Sequence, residues 1–233
     1  MPQRGGPTYC ETPTDPQAFM GFPVEWVNTV SNLPTILFGL FALYLVYHFA
    51  PKRWELYLLA FLLLATGIGS TLWHGTRLSW ALTYADVMPG VFFLLAFVFA
   101  WGRTLWSAHI GLGILILLFA LQYVAFNFVS WGGFISPFTL LFLTLFFAGS
   151  ALVWFSWKRF GVVGGTWALL TLSLAAMAAV MRTVDGPLCD VIPFGTHLFW
   201  HIFLGGAGLA GIYMLLAMRR VTSPLSQDGS QAR

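Results

Sequence analysis

The chain has 233 residues, of which 58% are hydrophobic and only 8% charged. Soluble globular domains carry about a quarter charged residues, so the composition excludes one and calls for a chain embedded in a membrane. The net charge of +3 comes from cations scattered through short loops, which excludes the concentrated basic face that nucleic acid requires. In chain order, seven apolar stretches lie near 25–49, 54–74, 82–101, 109–128, 134–157, 162–181 and 194–218. Each is long enough to cross an apolar layer about 30 Å thick, which takes roughly 20 residues of helix. The expected fold is all-α: a polytopic bundle of seven transmembrane helices forming one domain over 1–222, with a polar cytoplasmic tail over 223–233. Residues 1–16 are polar and lack the basic-then-apolar pattern of a cleaved signal peptide, so the first helix is expected to insert as its own signal.

Lys and Arg near helix ends are retained in the cytoplasm, which orients the bundle. Lys52, Arg53, Arg103, Lys158, Arg159, Arg219, Arg220 and Arg233 fall on the C-terminal side, against Arg4, Arg77 and Arg182 opposite. The C terminus is therefore expected inside and the N terminus outside. Glu11, Asp15, Glu25, Asp86, Asp185 and Asp190 map to the outer side, with Glu55 and Asp228 inside. The inner face suits anionic lipid headgroups and the outer face suits cations. The short loops and tail are compatible with a bacterial inner membrane, and no obligate protein partner is evident. Both cysteines, Cys10 and Cys189, map outside. An oxidising compartment and an even count predict a disulfide between them, with two unpaired thiols as the alternative.

Ionisable groups within membrane helices are costly and usually mark function. The second stretch ends Gly69-Ser70-Thr71-Leu72-Trp73-His74, which puts Ser70 and His74 four apart on one helix face. Asp86 opens the third, and His197 and His201 open the seventh with the i, i+4 spacing that lets two imidazoles chelate one ion. Helix two runs outward while helices three and seven run inward, so all of these side chains are expected at one depth near the outer face. For a lone histidine, a buried ring satisfied by a carbonyl is the better reading. Three converging with a carboxylate point to a metal. Three neutral imidazoles with an open position suit catalytic zinc, which lowers the pKa of a bound water to about 7. Asp86 is then placed to hold and deprotonate that water, and Ser70 to donate a hydrogen bond to a developing oxyanion. His48 and His109 belong to the opposite end and read as interfacial residues.

A second polar cluster lies before and into the first helix. Asn28 and Asn32, four apart, are expected to hydrogen-bond across helices. For Glu11 and Glu25, a hard oxygen-ligated cation such as calcium competes with plain solvated loop acids. The 23 Phe and 11 Trp read as lipid-facing surface, packing and interfacial belt. The glycines at 205, 206, 208 and 211 read as points of close helix contact, not a phosphate loop, since no strand precedes them.

Taken in order, Cys10-Glu11, the run Glu25-Trp26-Val27-Asn28-Thr29-Val30-Ser31-Asn32-Leu33, Gly69 to His74, Asp86 with Pro89, and His197 to His201 resemble the alkaline ceramidase family. That family lies within a superfamily of seven-helix membrane hydrolases that includes the progestin and adiponectin receptors. The matches cover helices one to three and seven; helices four to six offer only hydrophobicity. The resemblance implies zinc held by His74, His197 and His201, catalytic partners in Ser70 and Asp86, and the Cys10–Cys189 disulfide. It also implies calcium beside the zinc, with Glu11 and Glu25 matching the family's acids and Tyr9 a position that ligates through its backbone carbonyl. The chain departs where the family has an aspartate and an asparagine: Thr8 and Pro13 stand there, with a longer spacer to Glu25 and Asp15 as a possible substitute.

The expected activity is that of a zinc-dependent intramembrane hydrolase. It cleaves the amide bond of ceramide-like N-acyl sphingoid lipids to a fatty acid and a sphingoid base, near the outer, periplasmic face. The alternatives are a receptor-like seven-helix protein with a structural metal site, and a hydrolase of another lipid amide or ester. A retinal protein is excluded, because the only lysines, Lys52 and Lys158, lie in loops. A transporter is disfavoured by the lack of paired broken helices.

Overall fold

The computed structural model describes residues 6–15, 17, 21–128 and 137–221. Arg4, Arg233, Asp228, the tail over 223–233 and the first residues of the fifth predicted stretch, 134–136, lie outside the described residues. The fold is all-α. Its helices are α1 (Trp26–Val30), α2 (Leu33–Phe49), α3 (Trp54–Thr76), α4 (Met88–Leu105), α5 (Ala108–Phe128), α6 (Pro137–Val184) and α7 (His197–Val221), with a π-helix over Ala81–Val87 and a 3₁₀ turn at Gly186–Leu188.

Five helical stretches are long and apolar enough to cross a bilayer: Trp26–Phe49, Trp54–Thr76, Ala81–Leu105, Leu140–Val184 and His197–Arg219. A shorter apolar helix covers Ala108–Val124. The Leu140–Val184 stretch is interrupted at Gly161, whose φ of 62° and ψ of −152° lie outside helical space and suit a residue without a Cβ. That break falls in the gap left between the predicted stretches 134–157 and 162–181.

The chain forms two compact units. The first, Met1–Leu94 with Ser173–Leu209, contains every site residue anticipated from the sequence. Within it, α1 and α2 are separated at Ser31 and Asn32. Pro34, at the start of α2, has no N–H to bond the carbonyl four residues back and its ring crowds that position. Close packing rests on glycines: a Cβ on Gly39 would stand 2.6 Å from the Leu64 backbone, and one on Gly205 would stand 2.5 Å from Thr35 Oγ1. Gly205, Gly208 and Gly211 of α7 thus serve close contact, as expected, whereas a Cβ on Gly206 would meet nothing nearer than 3.6 Å.

The N-terminal segment is tied to this unit twice. Cys10 and Cys189 are joined by a disulfide across 179 positions of sequence. Beside it, the buried Asp185 carboxylate accepts from the N–H groups of Cys10 at 3.3 Å, Thr196 at 2.7 Å and His197 at 2.9 Å. An acid receiving the free N–H groups at the start of α7 satisfies donors that the helix itself cannot, and it fixes where His197 begins.

The second unit is Leu95–Leu172 with Ala210–Arg233. Several of its polar side chains are paired within the unit, as an apolar surround favours. Trp101 Nε1 donates to Ser156 Oγ at 2.9 Å, Ser156 donates to the Leu152 carbonyl at 2.7 Å, and Arg159 donates to the Leu105 carbonyl. Nothing in this unit belongs to the expected site, consistent with the bare hydrophobicity of its sequence.

Candidate metal centre

His74 ends α3 and His197 and His201 begin α7, and the structure brings all three together. One ring nitrogen of each lies within 4.8 Å of the others, and all three rings are buried. Their centroids are 4.6 Å apart for His197 and His201, 4.9 Å for His74 and His201, and 5.2 Å for His74 and His197. Three buried imidazoles at that spacing can ligate one ion, and an all-nitrogen donor set suits zinc. His48 and His109 are exposed and take no part.

Two of the three rings are oriented from behind. Glu25 Oε2 lies 2.5 Å from His74 Nδ1, and a carboxylate can only accept, so Nδ1 carries the proton and Nε2 keeps its lone pair. Ser31 Oγ lies 2.7 Å from His201 Nδ1. The serine's one hydrogen goes to the Asn28 carbonyl at 2.9 Å, so towards His201 it accepts, and Nε2 is again the free nitrogen. These are the outer partners that fix tautomer and direction in a metal-binding histidine. Backbone bonds set the Glu25 contact: Glu25 N to the His74 carbonyl at 3.1 Å, and Val24 N to the Gly75 carbonyl at 3.0 Å.

Ser31 was not anticipated; Asn28 and Asn32 were expected to hydrogen-bond across helices. Asn32 instead donates to the Asn28 carbonyl at 2.9 Å, and Asn28 reaches Glu25 at 3.5 Å. Both amides stay within their own segment. Ser31 and Thr35, whose hydroxyl donates to the His201 carbonyl at 2.9 Å, make the crossing to α7.

Ser70 Oγ lies 3.4 Å from His201 Nε2 and stands next to the Asp86 carboxylate, so the three form a line leading to the histidines. The approach depends on two local features. Pro89 cannot donate to the Ala85 carbonyl, and the preceding turn widens into the π-helix, where Met88 N bonds the Thr83 carbonyl instead. The carbonyl thus exposed packs on Gly69, where a Cβ would stand only 1.5 Å from Ala85 O. Gly69 and Ala85 are the neighbours of Ser70 and Asp86, so this backbone contact brings the hydroxyl and the carboxylate together.

The chain matches the ceramidase family over residues 9–231. It belongs to the ceramidase family. No curated protein matches it closely enough to be counted as a relative. The family match runs across both compact units, including the helices whose sequence offered only hydrophobicity.

Against the calcium expected from family resemblance, the structure gives each proposed ligand a partner in the protein. Glu11 accepts from Val27 N at 2.5 Å and Asn28 N at 2.8 Å, capping the start of α1. The Tyr9 carbonyl accepts from Thr12 N at 3.0 Å. Glu25 Oε1 accepts from Thr12 Oγ1 at 2.5 Å and faces Arg77 Nη1 at 3.1 Å, while Oε2 faces His74. Calcium needs six to eight oxygen ligands, and among the described residues the three histidines are the only grouped metal donors. The residues present do not fit calcium. What Tyr9 does supply is its ring, stacked on His197 with centroids 4.0 Å apart and 5.2 Å from His74. Burial pushes the Tyr9 hydroxyl up to about 12, so the ring covering the histidines stays neutral.

Proposed function

We propose that the chain is a zinc-dependent intramembrane amidase acting on ceramide-like N-acyl sphingoid lipids. One observation carries the proposal: three buried imidazoles converge, and the Ser70–Asp86 pair stands beside one of them. Structural zinc sites are closed by four protein ligands, whereas catalytic sites keep a position open; a group of three donors favours catalysis over a receptor-like structural site. Membership of the ceramidase family supports the substrate class and the scissile amide.

His74 and His201 would hold zinc through Nε2, with His197 as third ligand. Zinc bound there supplies Lewis acidity towards a carbonyl oxygen and towards a water. Asp86 takes the proton from the attacking water and delivers it to the amide nitrogen as the C–N bond breaks, so the new carbon–oxygen bond costs no external acid or base. Ser70 donates to the oxygen that gains charge, a contact made chiefly in the transition state. Glu25 and Ser31 keep the ligand lone pairs aimed inward. Tyr9 limits water above the histidines.

For the membrane we propose seven spans forming one domain over 1–222. Five long stretches, the interruption of one of them at Gly161 and the shorter Ala108–Val124 helix support that count. The disulfide supports an outer, periplasmic site with the N terminus outside a bacterial inner membrane and the C terminus cytoplasmic. The test is to incubate purified protein with a labelled N-acyl sphingoid lipid and its ester analogue, with and without a chelator. Chelator-sensitive release of fatty acid from the amide, restored by zinc, is expected. Zinc-replete protein that releases nothing from either would favour the receptor-like alternative.

A further inference from the structure

We propose that the guanidinium of Arg77 permanently occupies the place of a second cation beside the histidine centre, so that this chain neutralises its inner acid without calcium. The inference goes beyond the proposed amidase activity and rests on it only in taking the histidines as the metal centre.

The position of Arg77 is unusual in three independent ways. It caps α3 in the left-handed region, with φ 55° and ψ 26°, a conformation that disfavours a side chain of this size. Asparagine and glycine are the usual residues there, so the arginine is present for its side chain. That side chain is only 2% exposed. Lastly, it is held from several sides: Nη1 faces Glu25 Oε1 at 3.1 Å, Nη2 donates to the Pro7 carbonyl at 2.8 Å, and the guanidinium lies over Trp73, 4.3 Å from the ring centroid, and 5.6 Å from that of Tyr9.

A buried carboxylate needs a compensating charge, because leaving one uncompensated is among the costliest defects in a protein. Glu25 is fully buried, and its other oxygen is committed to His74. In a calcium-bound arrangement that compensation would come from the ion. Here a guanidinium touches Glu25 directly, and a divalent ion at the same place would meet an adjacent positive charge. Two further observations agree. Glu11 spends both oxygens on the N–H groups of α1. Thr8 and Pro13 stand where the resemblance calls for an aspartate and an asparagine. The site has lost oxygen donors and gained a fixed cation.

The experiment has two arms and uses the full chain. In the first, protein equilibrated with millimolar calcium is desalted, its calcium and zinc are measured together, and thermal unfolding is followed with and without added calcium. Calcium near zero per chain and an unchanged midpoint are expected. Near-stoichiometric calcium, with the rise of roughly 5–10 °C that a site saturated about a hundredfold over its dissociation constant produces, would overturn the proposal. The zinc measured in the same samples reports separately on the histidine centre, so failure of that centre is not mistaken for failure here. In the second arm, Arg77→Gln, Glu25→Gln and the double variant are compared in unfolding midpoint. Paired buried charges predict that the double variant loses less than the sum of the single losses. Additive losses would show that the two do not compensate each other. If Arg77→Gln does not fold, the calcium measurement on the unsubstituted protein still decides.

Discussion

Gly69→Ala removes nothing from the site and should nonetheless silence it. The new methyl would stand 1.5 Å from the Ala85 carbonyl oxygen and 2.2 Å from its carbon. Ordinary contact begins at 3.4 Å, so the π-helix has to retreat from α3 by about 2 Å. Ser70 follows Gly69 and Asp86 follows Ala85, and the retreat therefore parts the hydroxyl from the carboxylate. A misplacement of about 1 Å at a reacting group costs on the order of 100-fold, so kcat on an N-acyl sphingoid lipid should fall by at least that factor. None of the histidines is on the π-helix, and zinc should stay near one per chain. Overpacking of this kind costs about 1–3 kcal/mol, which lowers the melting midpoint without unfolding the protein at 25 °C. Turnover, zinc content and unfolding are measured on one preparation. A variant within threefold of wild-type kcat would refute the reasoning, and so would one that loses zinc in proportion to activity.

The remaining predictions concern individual side chains. Asp86→Asn should reduce turnover by about 100- to 10,000-fold, the usual contribution of a general base, with zinc retained; full activity would remove its role as proton carrier. Ser31→Ala leaves the His201 Nδ1–H without its acceptor and should weaken zinc by about 10–100-fold in a competitive chelator titration, whereas unchanged affinity would contradict the tautomer assigned to His201. Replacing both Cys10 and Cys189 by Ser frees the N-terminal segment and should cost about 2–4 kcal/mol; an unfolding midpoint equal to that of the oxidised protein would show that this strap contributes nothing.

The parts of the site legible in the sequence share one property: each was fixed by position along a helix. His197 and His201 are four apart, Ser70 and His74 are four apart, and the alternating direction of the helices set their common depth. The disulfide followed from the placement of Cys10 and Cys189 on one side. What the sequence hid depends on local departures from regular helix. Asn28 and Asn32 spend their amides on their own segment, and Ser31, between them, is the residue that meets His201. Pro89 announced a disturbed turn, but only the structure shows that the Ala85 carbonyl it frees lands on Gly69. Arg77 was read as one charge in a count of loop cations. Its left-handed backbone and buried guanidinium follow from tertiary contacts that no spacing reveals.

Zinc-edge X-ray absorption on the purified protein tests the central claim most directly. Three imidazole nitrogens at about 2.0–2.1 Å with one light-atom neighbour from solvent are expected, falling to two imidazoles or to no bound zinc in His197→Ala. A spectrum without imidazole scattering, or the same spectrum from the unsubstituted protein and from His197→Ala, would contradict the account.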